Sequence, residues 1–526
     1  MNRKQICVLV GATLLASSSA VAREFYVNGA GSAGTQNGSR DFPFRTIQAA
    51  VAAADDGDEV RVAQGTYNEN VRIEDKDIQL LGGFNASWQR AATAVNTELT
   101  GLGDNAAINI IESDAVVDGF RIAKGTGSVE ELPFTLRGGG IYIRGGSPTI
   151  SNNLIEDNEL RGGNLAAEES TGGGIYVTNA VRATIRNNVI RNNEAGRGAG
   201  IAVNVGVVII EDNTIENNVG VGDHGGGLFI TAQQATITRN IIRGNEIGRE
   251  LGYGWGGGLI VAGVGSEAEL SLNTVYENFA ASFGSGEFID EGAVAEIHHE
   301  LIYNNRSSAG CEAVSAIYVD GGAEGGSSAT IDHCTVVNNM CENSTRGNGL
   351  QVEGDSTVTV SNSIFWGNAG DDFQVIDTST LVVTYTCSEE GYAGTGNISS
   401  NPRFRDEAAS DFRLAANSPC IDAADPAAPF DKEPADNGGR ADLGRFGNTA
   451  NVLSTPDDGG NENENRNAND NAAGNANSND NRNGNDNGTP DDGTDGPIAA
   501  AACPMTAMLL MSLSLVGVCR TRRTKV

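Results

Sequence analysis

The chain has 526 residues and a formal net charge of −33, from 68 Asp and Glu against 35 Lys and Arg. Glycine accounts for 70 residues, and the chain is also rich in asparagine. Both residues are weak helix formers, which argues against a helical bundle. So acidic a chain offers no basic face to nucleic acid, and that class of partner is excluded.

The first 22 residues have the pattern of a secretory signal peptide. Arg3 and Lys4 precede an apolar run from residue 6 to residue 16, and Ala20-Val21-Ala22 has the small residues of a cleavage site. We therefore expect residues 1–22 to be removed and the rest of the protein to be exported.

Two motifs alternate between residues 138 and 369. One is Gly-rich and then aliphatic, with clear copies at 138–143, 172–177, 198–203, 225–230 and 256–261. The other begins and ends with Asn, at 153–158, 188–193, 213–218, 240–245 and 273–278, and His299, Cys334 and Asn362 take its first position in later copies. A period of about 30 residues predicts a solenoid in which equivalent Asn side chains stack, and it is too short for a propeller blade.

With these repeats the chain resembles the right-handed parallel β-helix proteins of the pectate-lyase-like superfamily. Its start is similar too, because an amphipathic helix at Phe44–Ala54 is followed by strands from Glu59 onwards. Residues 401–447 are similar to the end cap of surface-anchored bacterial members. The resemblance implies an all-β, single-solenoid right-handed parallel β-helix over residues 23–454, with a short N-terminal cap helix and an end cap at about 397–450.

The C-terminal part differs from the solenoid. Residues 455–497 are dominated by Asn, Asp and Gly and predict a disordered linker. Residues 498–519 carry no charge and are long enough to cross a bilayer, and a cluster of Arg and Lys follows. Residues 498–526 thus predict a transmembrane anchor or a tail similar to bacterial sorting signals, and the sequence does not decide between retention and cleavage.

The connections that follow the Asn motif vary in length, whereas those that precede it are nearly constant. Insertions therefore collect on one side of the solenoid, which is usually the binding side. Tyr253 and Trp255 belong to one of these loops, and aromatic faces are good platforms for sugar rings. The alternative is that Trp255 only holds its loop on the stack.

A column of carboxylates is predicted from the alignment of the Gly motifs. Asp290, Asp320 and Glu353 each follow a Gly-motif strand on consecutive coils. Like charges repel unless they are compensated, and Ca²⁺ would compensate them. The alternative is a solvated acidic edge. Glu287 occupies a position that is otherwise aliphatic, and its burial would raise its pKa.

The histidines and cysteines give further hypotheses. His298 and His333 precede the first Asn-motif position, which predicts that they stack, in a structural role or as acid–base groups. Possible disulfides are Cys311 with Cys341 and Cys387 with Cys420, while Cys334 is expected to be a buried thiol.

We expect an exported, surface-held monomer that binds extracellular polysaccharide or adheres to a neighbouring surface. The resemblance implies an alternative, a calcium-dependent polysaccharide lyase acting by β-elimination. In that case the acidic column would hold the metal, and Arg306 or Arg346 would be the base. A third hypothesis is a purely structural stalk.

Overall fold

A computed structural model describes residues 22–450, except 32–33, 93–95, 131–134, 161–169, 309–315, 323–324, 342–348 and 435–437. The chain divides into two units, Met1–Gly460 and Asn461–Val526, and the described residues belong to the first. The predicted signal peptide (apart from Ala22), linker and C-terminal tail lie outside them. Within the described ranges no helix is long and apolar enough to cross a membrane.

The described chain forms three long sheets that run along a solenoid. The first has 22 strands: Glu24–Val27, Glu59–Ala63, Val71–Glu74, Gln79–Phe84, Ile108–Ile111, Val116–Asp118, Ile141–Arg144, Thr149–Ser151, Ile175–Arg186, Ile201–Glu211, Leu228–Thr231, Gln234–Thr238, Leu259–Ala262, Glu267–Ser271, Glu287–Asp290, Val294–His298, Ile317–Asp320, Ser328–Asp332, Leu350–Glu353, Thr357–Ser361, Phe373–Val375 and Thr380–Thr384. The second has 12: Gly65–Asn68, Thr97–Thr100, Arg121–Ala123, Leu154–Glu156, Val189–Arg191, Thr214–Glu216, Ile241–Arg243, Thr274–Tyr276, Leu301–Tyr303, Thr335–Val337, Ile364–Trp366 and Cys387–Ser388. The third has nine: Ser128–Glu130, Thr135–Arg137, Ser170–Thr171, Glu194–Arg197, Val219–His224, Glu246–Ile247, Phe279–Ala280, Arg306–Ser307 and Met340–Cys341.

Strands of successive coils pair in parallel, which confirms the predicted parallel β-helix. The aliphatic residue after each Gly motif pairs with its equivalent on the next coil, from Ile141 through Ile175 to Leu350. Side chains alternate across a strand, so these residues and those two positions later point into the core. Almost all of them are fully buried aliphatics, and their burial is the main term that stabilises the stack.

Two ladders of buried Asn side chains run along the turns, as the repeats predicted. Each Asn donates its Nδ2 to the Oδ1 of the Asn on the next coil, as from Asn188 to Asn213 and from Asn193 to Asn218, both at 3.0 Å. The predicted first-ladder positions of His299 and Asn362 are wrong by one residue. Glu300 accepts from Asn273, and Ser363 accepts from the Cys334 amide.

The residue before each first-ladder position has a left-handed backbone. Non-glycine residues here include Asn152, Asn187, Asp212, His299, His333 and Asn362, with φ between 48° and 56°. Asn and Asp tolerate this conformation better than other residues, which explains the Asn pairs 152–153 and 187–188 at the start of the motif. The ring of His299 therefore lies on the outside of the turn. The His299 ring stacks on that of His333, with centroids 5.1 Å apart. The prediction that His298 is the stacking partner of His333 is therefore wrong by one residue.

The N-terminal end is covered by the predicted helix, which spans Ile47–Ala53. Thr46 caps it by accepting a hydrogen bond from the Ala49 amide, and Ile47, Ala50 and Val51 pack onto the core. A strand that was not predicted, Glu24–Val27, precedes the helix and pairs with Glu59–Ala63.

The C-terminal segment 401–450 lies along the side of the solenoid. Its hairpin of Phe404–Asp406 and Asp411–Leu414, with a 3-10 turn at Glu407–Ala409, packs on the second sheet. Leu301, Val337 and Ile364 contribute the solenoid side of this apolar contact. The segment thus covers several coils of that sheet.

Three cysteines of the described part, Cys334, Cys387 and Cys420, are not bonded to one another in the structure. Cys334 is a fully buried thiol inside the solenoid. Cys387 and Cys420 are buried in one apolar cluster, where the neighbouring Cys420 thiol and burial raise the pKa of Cys387. Their pairing stays a prediction, and Cys311 and the side chain of Cys341 lie outside the described residues.

Candidate functional site

The outer face of the Gly-motif strands carries a row of aromatic and aliphatic side chains, which we call the outer row. Each member directly follows the core residue of its Gly-motif strand and pairs with the equivalent residue on the next coil. The members are Tyr142, Tyr176, Ala202, Phe229, Ile260, Phe288 and Tyr318. Because side chains alternate along a strand, this row points away from the core. Most of it is nevertheless buried, and Trp255 and Phe283 pack against its C-terminal half.

Four aromatic side chains on and beside the outer row are partly accessible, and we call them the aromatic patch: Phe229, Tyr253, Trp255 and Phe283. The ring of Trp255 lies 5.0 Å from that of His224 and 5.7 Å from that of Tyr253. The Phe283 ring stacks on Tyr318 at 4.9 Å. The patch therefore joins three coils on the side of the variable loops.

Trp255 and Tyr253 have different environments within the patch. The Trp255 amide donates to the Asp223 carbonyl, and its own carbonyl accepts from Gly225, both at 2.8 Å. Trp255 thus holds its loop on the preceding coil, and its ring is half-buried. Tyr253 is 40% exposed, so it presents the most accessible aromatic surface of the pair.

An ion pair lies beside the patch, where Arg197 and His224 contact the ring of Phe229. Asp223 accepts from Nε and Nη2 of Arg197 at 2.6 and 2.7 Å, and Nδ1 of His224 lies 2.8 Å from its Oδ1. Burial would raise the pKa of Asp223, but the contacts with His224 and Arg197 lower it well below its usual range. The sequence did not indicate that His224 belongs to the same cluster as Trp255.

The predicted acidic column of Asp290, Asp320 and Glu353 lies beside the outer row. Asp320 pairs with Glu353, and Asp290 has the same register one coil earlier. Glu353 accepts hydrogen bonds from the Tyr318 hydroxyl at 2.8 Å and from Gln351 at 3.1 Å. The column is therefore connected to the patch through Tyr318.

The acidic column is not a uniformly solvated edge. Asp290 is only 7% exposed, and burial, followed by the charges of Glu291 and Asp320, raises its pKa to about 8. Burial also raises the pKa of Asp320. Asp290 is thus protonated at neutral pH. The stability that the folded protein gains by holding this proton is lost as the pH rises from about 4 towards 8.

We expect Asp320→Asn to lower the pKa of Asp290, because the substitution removes a negative charge that opposes ionisation. Carbon NMR of the Asp290 carboxyl group as a function of pH would measure the midpoint of its titration. The exposed Asp355, changed to Asn, is the control and should leave the midpoint unchanged. An Asp290 midpoint that is the same in both variants would contradict the coupling.

The metal and base hypotheses receive no geometric support within the described residues. No three His, Cys, Asp or Glu side chains there are placed to hold a metal ion together. Arg306 belongs to the third sheet, where its strand pairs with Phe279 and Met340, and no described ion pair joins it to the acidic column. Arg346 lies outside the described residues. Calcium stays a prediction, and no chemical step is derived through it.

A second acidic feature lies inside the solenoid. Glu287 and Glu300 are both fully buried, and burial raises the pKa of each. Neither oxygen of Glu287 has a well-aligned hydrogen-bond partner. Arg445 of the C-terminal segment donates to the carbonyls of Leu272 and Asn273, and its charge acts on Glu300. The sequence indicated Glu287, but Glu300 was missed.

Comparisons with known proteins agree with this architecture. Residues 69–275 match the family model described as right handed beta helix region. An uncharacterized protein, YwoF of Bacillus subtilis (strain 168), is 26% identical over 431 residues, which cover 73% of this chain and 89% of the relative.

Two solved structures are similar at low identity. One, of the pectate lyase Pel9A, has a TM-score of 0.43 and 15% identity, and covers 81% of this chain and 96% of its own. The other, of XylC with xylose, has a TM-score of 0.36 and 11% identity, and covers 72% and 87%. The parallel register of the sheets and the family match over residues 69–275 together show that the chain has the right-handed parallel β-helix fold that its sequence predicted.

Proposed function

We propose that this protein binds extracellular polysaccharide on the aromatic patch. The observation that carries the proposal is the grouping of Phe229, Tyr253, Trp255 and Phe283 on neighbouring coils, with accessible ring surface on the side of the variable loops. Aromatic rings bury the apolar faces of sugars, and a linear polymer of rings suits a surface that repeats with each coil.

The acidic column complements this platform. Carboxylate oxygens accept hydrogen bonds from hydroxyl groups, and Glu353 is coupled to the patch through Tyr318. Uncompensated carboxylates disfavour an anionic polymer such as a polyuronate. The proposed ligand is therefore a neutral or cationic polysaccharide.

Localisation is part of the same proposal. The signal-like residues 1–22 would direct export, and residues 455–526 would hold the β-helix at the cell surface, either permanently or until the tail is cleaved. A binding site held away from the membrane by a long polar linker suits adhesion to a matrix or to a neighbouring surface.

We expect Tyr253→Ala to weaken binding to the preferred polysaccharide about tenfold, because it removes accessible ring surface without breaking the backbone bonds made by Trp255. Co-sedimentation with a panel of neutral, cationic and anionic polysaccharides would measure the change. Phe42→Ala is the matched control, since it also removes an exposed ring, 52% accessible, at the N-terminal end. Equal affinities of the two variants would contradict the proposal.

The same panel separates binding from the lyase alternative. A lyase would release unsaturated products from polyuronates, which absorb in the ultraviolet, and would lose this activity in Asp320→Ala. A binding protein would release none and would be sensitive to Tyr253→Ala. A purely structural stalk would bind nothing on the panel.

A further inference from the structure

Two buried cysteines lie where the repeats end and the C-terminal segment begins to cover them. Cys387 belongs to the last strand of the second sheet, and Cys420 belongs to the segment that packs on this sheet. Both side chains are 0% exposed and lie in one apolar cluster with Phe404 and Phe412 of the hairpin. The two cysteines are thus contributed by the two parts of the chain that this cluster joins.

Hydrogen bonds hold the surroundings of the two thiols together. The Cys387 thiol donates to the Ser400 carbonyl, with Sγ 3.2 Å from the oxygen. The nearby Pro402 carbonyl accepts from the hydroxyl of Ser418, and the same hydroxyl accepts from the Cys420 amide at 3.1 Å. The two thiols are themselves in hydrogen-bond contact, and this contact is the largest cause of the raised pKa of Cys387. The sulfur atoms are therefore neighbours in the folded chain.

We propose that Cys387 and Cys420 form a disulfide bond that staples the C-terminal segment to the last coil of the solenoid. The inference rests on the export part of the proposed function, because disulfides persist in oxidising compartments. The bond closes residues 388–419 into a loop that contains the whole hairpin of Phe404–Asp406 and Asp411–Leu414. A closed loop has fewer open conformations, so the segment opens less often. The staple also lies between most of the β-helix and the proposed linker to the cell surface.

Burial determines when the bond can form. Neither thiol is accessible in the folded chain, and the raised pKa of Cys387 leaves little reactive thiolate there. The oxidant must therefore react while the segment is undocked, either before folding is complete or during a local opening. The same burial then shields the finished bond from reductants.

The oxidant is an external disulfide, for which glutathione disulfide is the probe. One cysteine thiolate attacks a sulfur atom of this disulfide, and a glutathione thiolate leaves. The second cysteine thiolate attacks the mixed disulfide, so the bond between Cys387 and Cys420 forms and the second glutathione thiolate leaves. Two electrons pass from the cysteines to glutathione disulfide, and the two cysteine protons end on the two glutathione thiols.

Oxidation of the purified full chain by glutathione disulfide, in urea that is then removed, tests the pairing. After the free thiols are alkylated, trypsin isolates the two cysteines in peptides 347–403 and 414–432, neither of which has another cysteine. The two peptides should be recovered joined, and a reductant should separate them. Recovery of both with alkylated cysteines would overturn the inference. Absence of the protein from the cell exterior would contradict export alone, so the two proposals can fail separately.

Cleavage of the folded chain by trypsin at the exposed Arg405 tests the staple. The oxidised natural chain should be cleaved about tenfold more slowly than the same chain after reduction. Cys420→Ser should be cleaved at one rate in both conditions, whereas Cys334→Ala, which keeps the pair, should retain the tenfold response. The natural chain is compared with itself, so a variant that folds poorly does not affect the main result. Equal rates for the oxidised and reduced natural chain, or an equal response of Cys420→Ser, would overturn the staple.

Discussion

Replacing Asn218 with alanine should lower the free energy of unfolding by about 3–5 kcal/mol. The Asn218 side chain is fully buried in the middle of a ladder. Its Nδ2 donates to the Ile190 carbonyl and to Asn245 at 3.0 and 2.9 Å, and its Oδ1 accepts from the amide and the side chain of Asn193 at 3.1 and 3.0 Å. Alanine leaves all of these buried partners without a bond, and water has no access to replace them.

Urea unfolding followed by circular dichroism would measure the loss. Asn217→Ala is a matched control, because Asn217 is the exposed neighbour with a left-handed backbone at φ 54° and is not a ladder residue. That change should cost only the penalty of a left-handed alanine, about 1 kcal/mol. If the two variants were equally stable, the ladder would be a consequence of the stack and not a source of its stability.

The ladders and the parallel register were predictable because the repeats are local and frequent. Several clear copies of each motif fix the period, and one strand pairing then determines the others. The error at His299 and Asn362 has a physical origin in the motif itself. Two copies begin with two adjacent Asn residues, at 152–153 and 187–188. The first of each pair has the left-handed turn and the second enters the ladder, so degenerate copies do not show which role a residue has.

The candidate sites were less predictable because they depend on contacts between loops and segments. His224 and Trp255 belong to loops of different lengths, and only their bridge on neighbouring coils brings the two rings together. The cavity of about 300 Å³ that Asp332 and His333 line also needs Asp425 and Asn448 of the C-terminal segment. The position of this segment along the second sheet is set by apolar contacts with no repeat pattern. The burial of Asp290 likewise comes from its tertiary surroundings.

Glu287→Leu should increase the free energy of unfolding at pH 8 by about 2–4 kcal/mol, the second large effect that we expect. Glu287 pairs in register with Leu259 and Ile317 in the core column and is 0% exposed, so leucine fits both the position and its surroundings. The substitution removes a buried carboxyl without a well-aligned partner. Glu300 loses the contact with Glu287 that lowers its pKa, but it keeps the bond from Asn273 and the attraction of Arg445.

The stabilisation should grow with pH. Burial and the neighbouring Glu300 raise the pKa of Glu287 well above its ordinary value of 4.5, so the folded protein keeps a proton that the unfolded chain releases. The stability of the natural chain therefore falls as the pH rises above about 4.5, by up to about 1.4 kcal/mol per pH unit for this group. The leucine variant lacks this slope, so its advantage should be small near pH 4 and largest near pH 8.

Thermal and urea unfolding across this pH range would measure the difference between the two proteins. Glu296→Leu is the control, because it makes the same chemical change at an exposed position of the next strand. It should give no gain that increases with pH. A stabilisation by Glu287→Leu that is independent of pH would mean that better packing, and not the retained proton, is the cause. A destabilisation would show that the natural fold requires the carboxyl pair opposite Arg445, and the solenoid would then depend on its C-terminal segment for more than apolar cover.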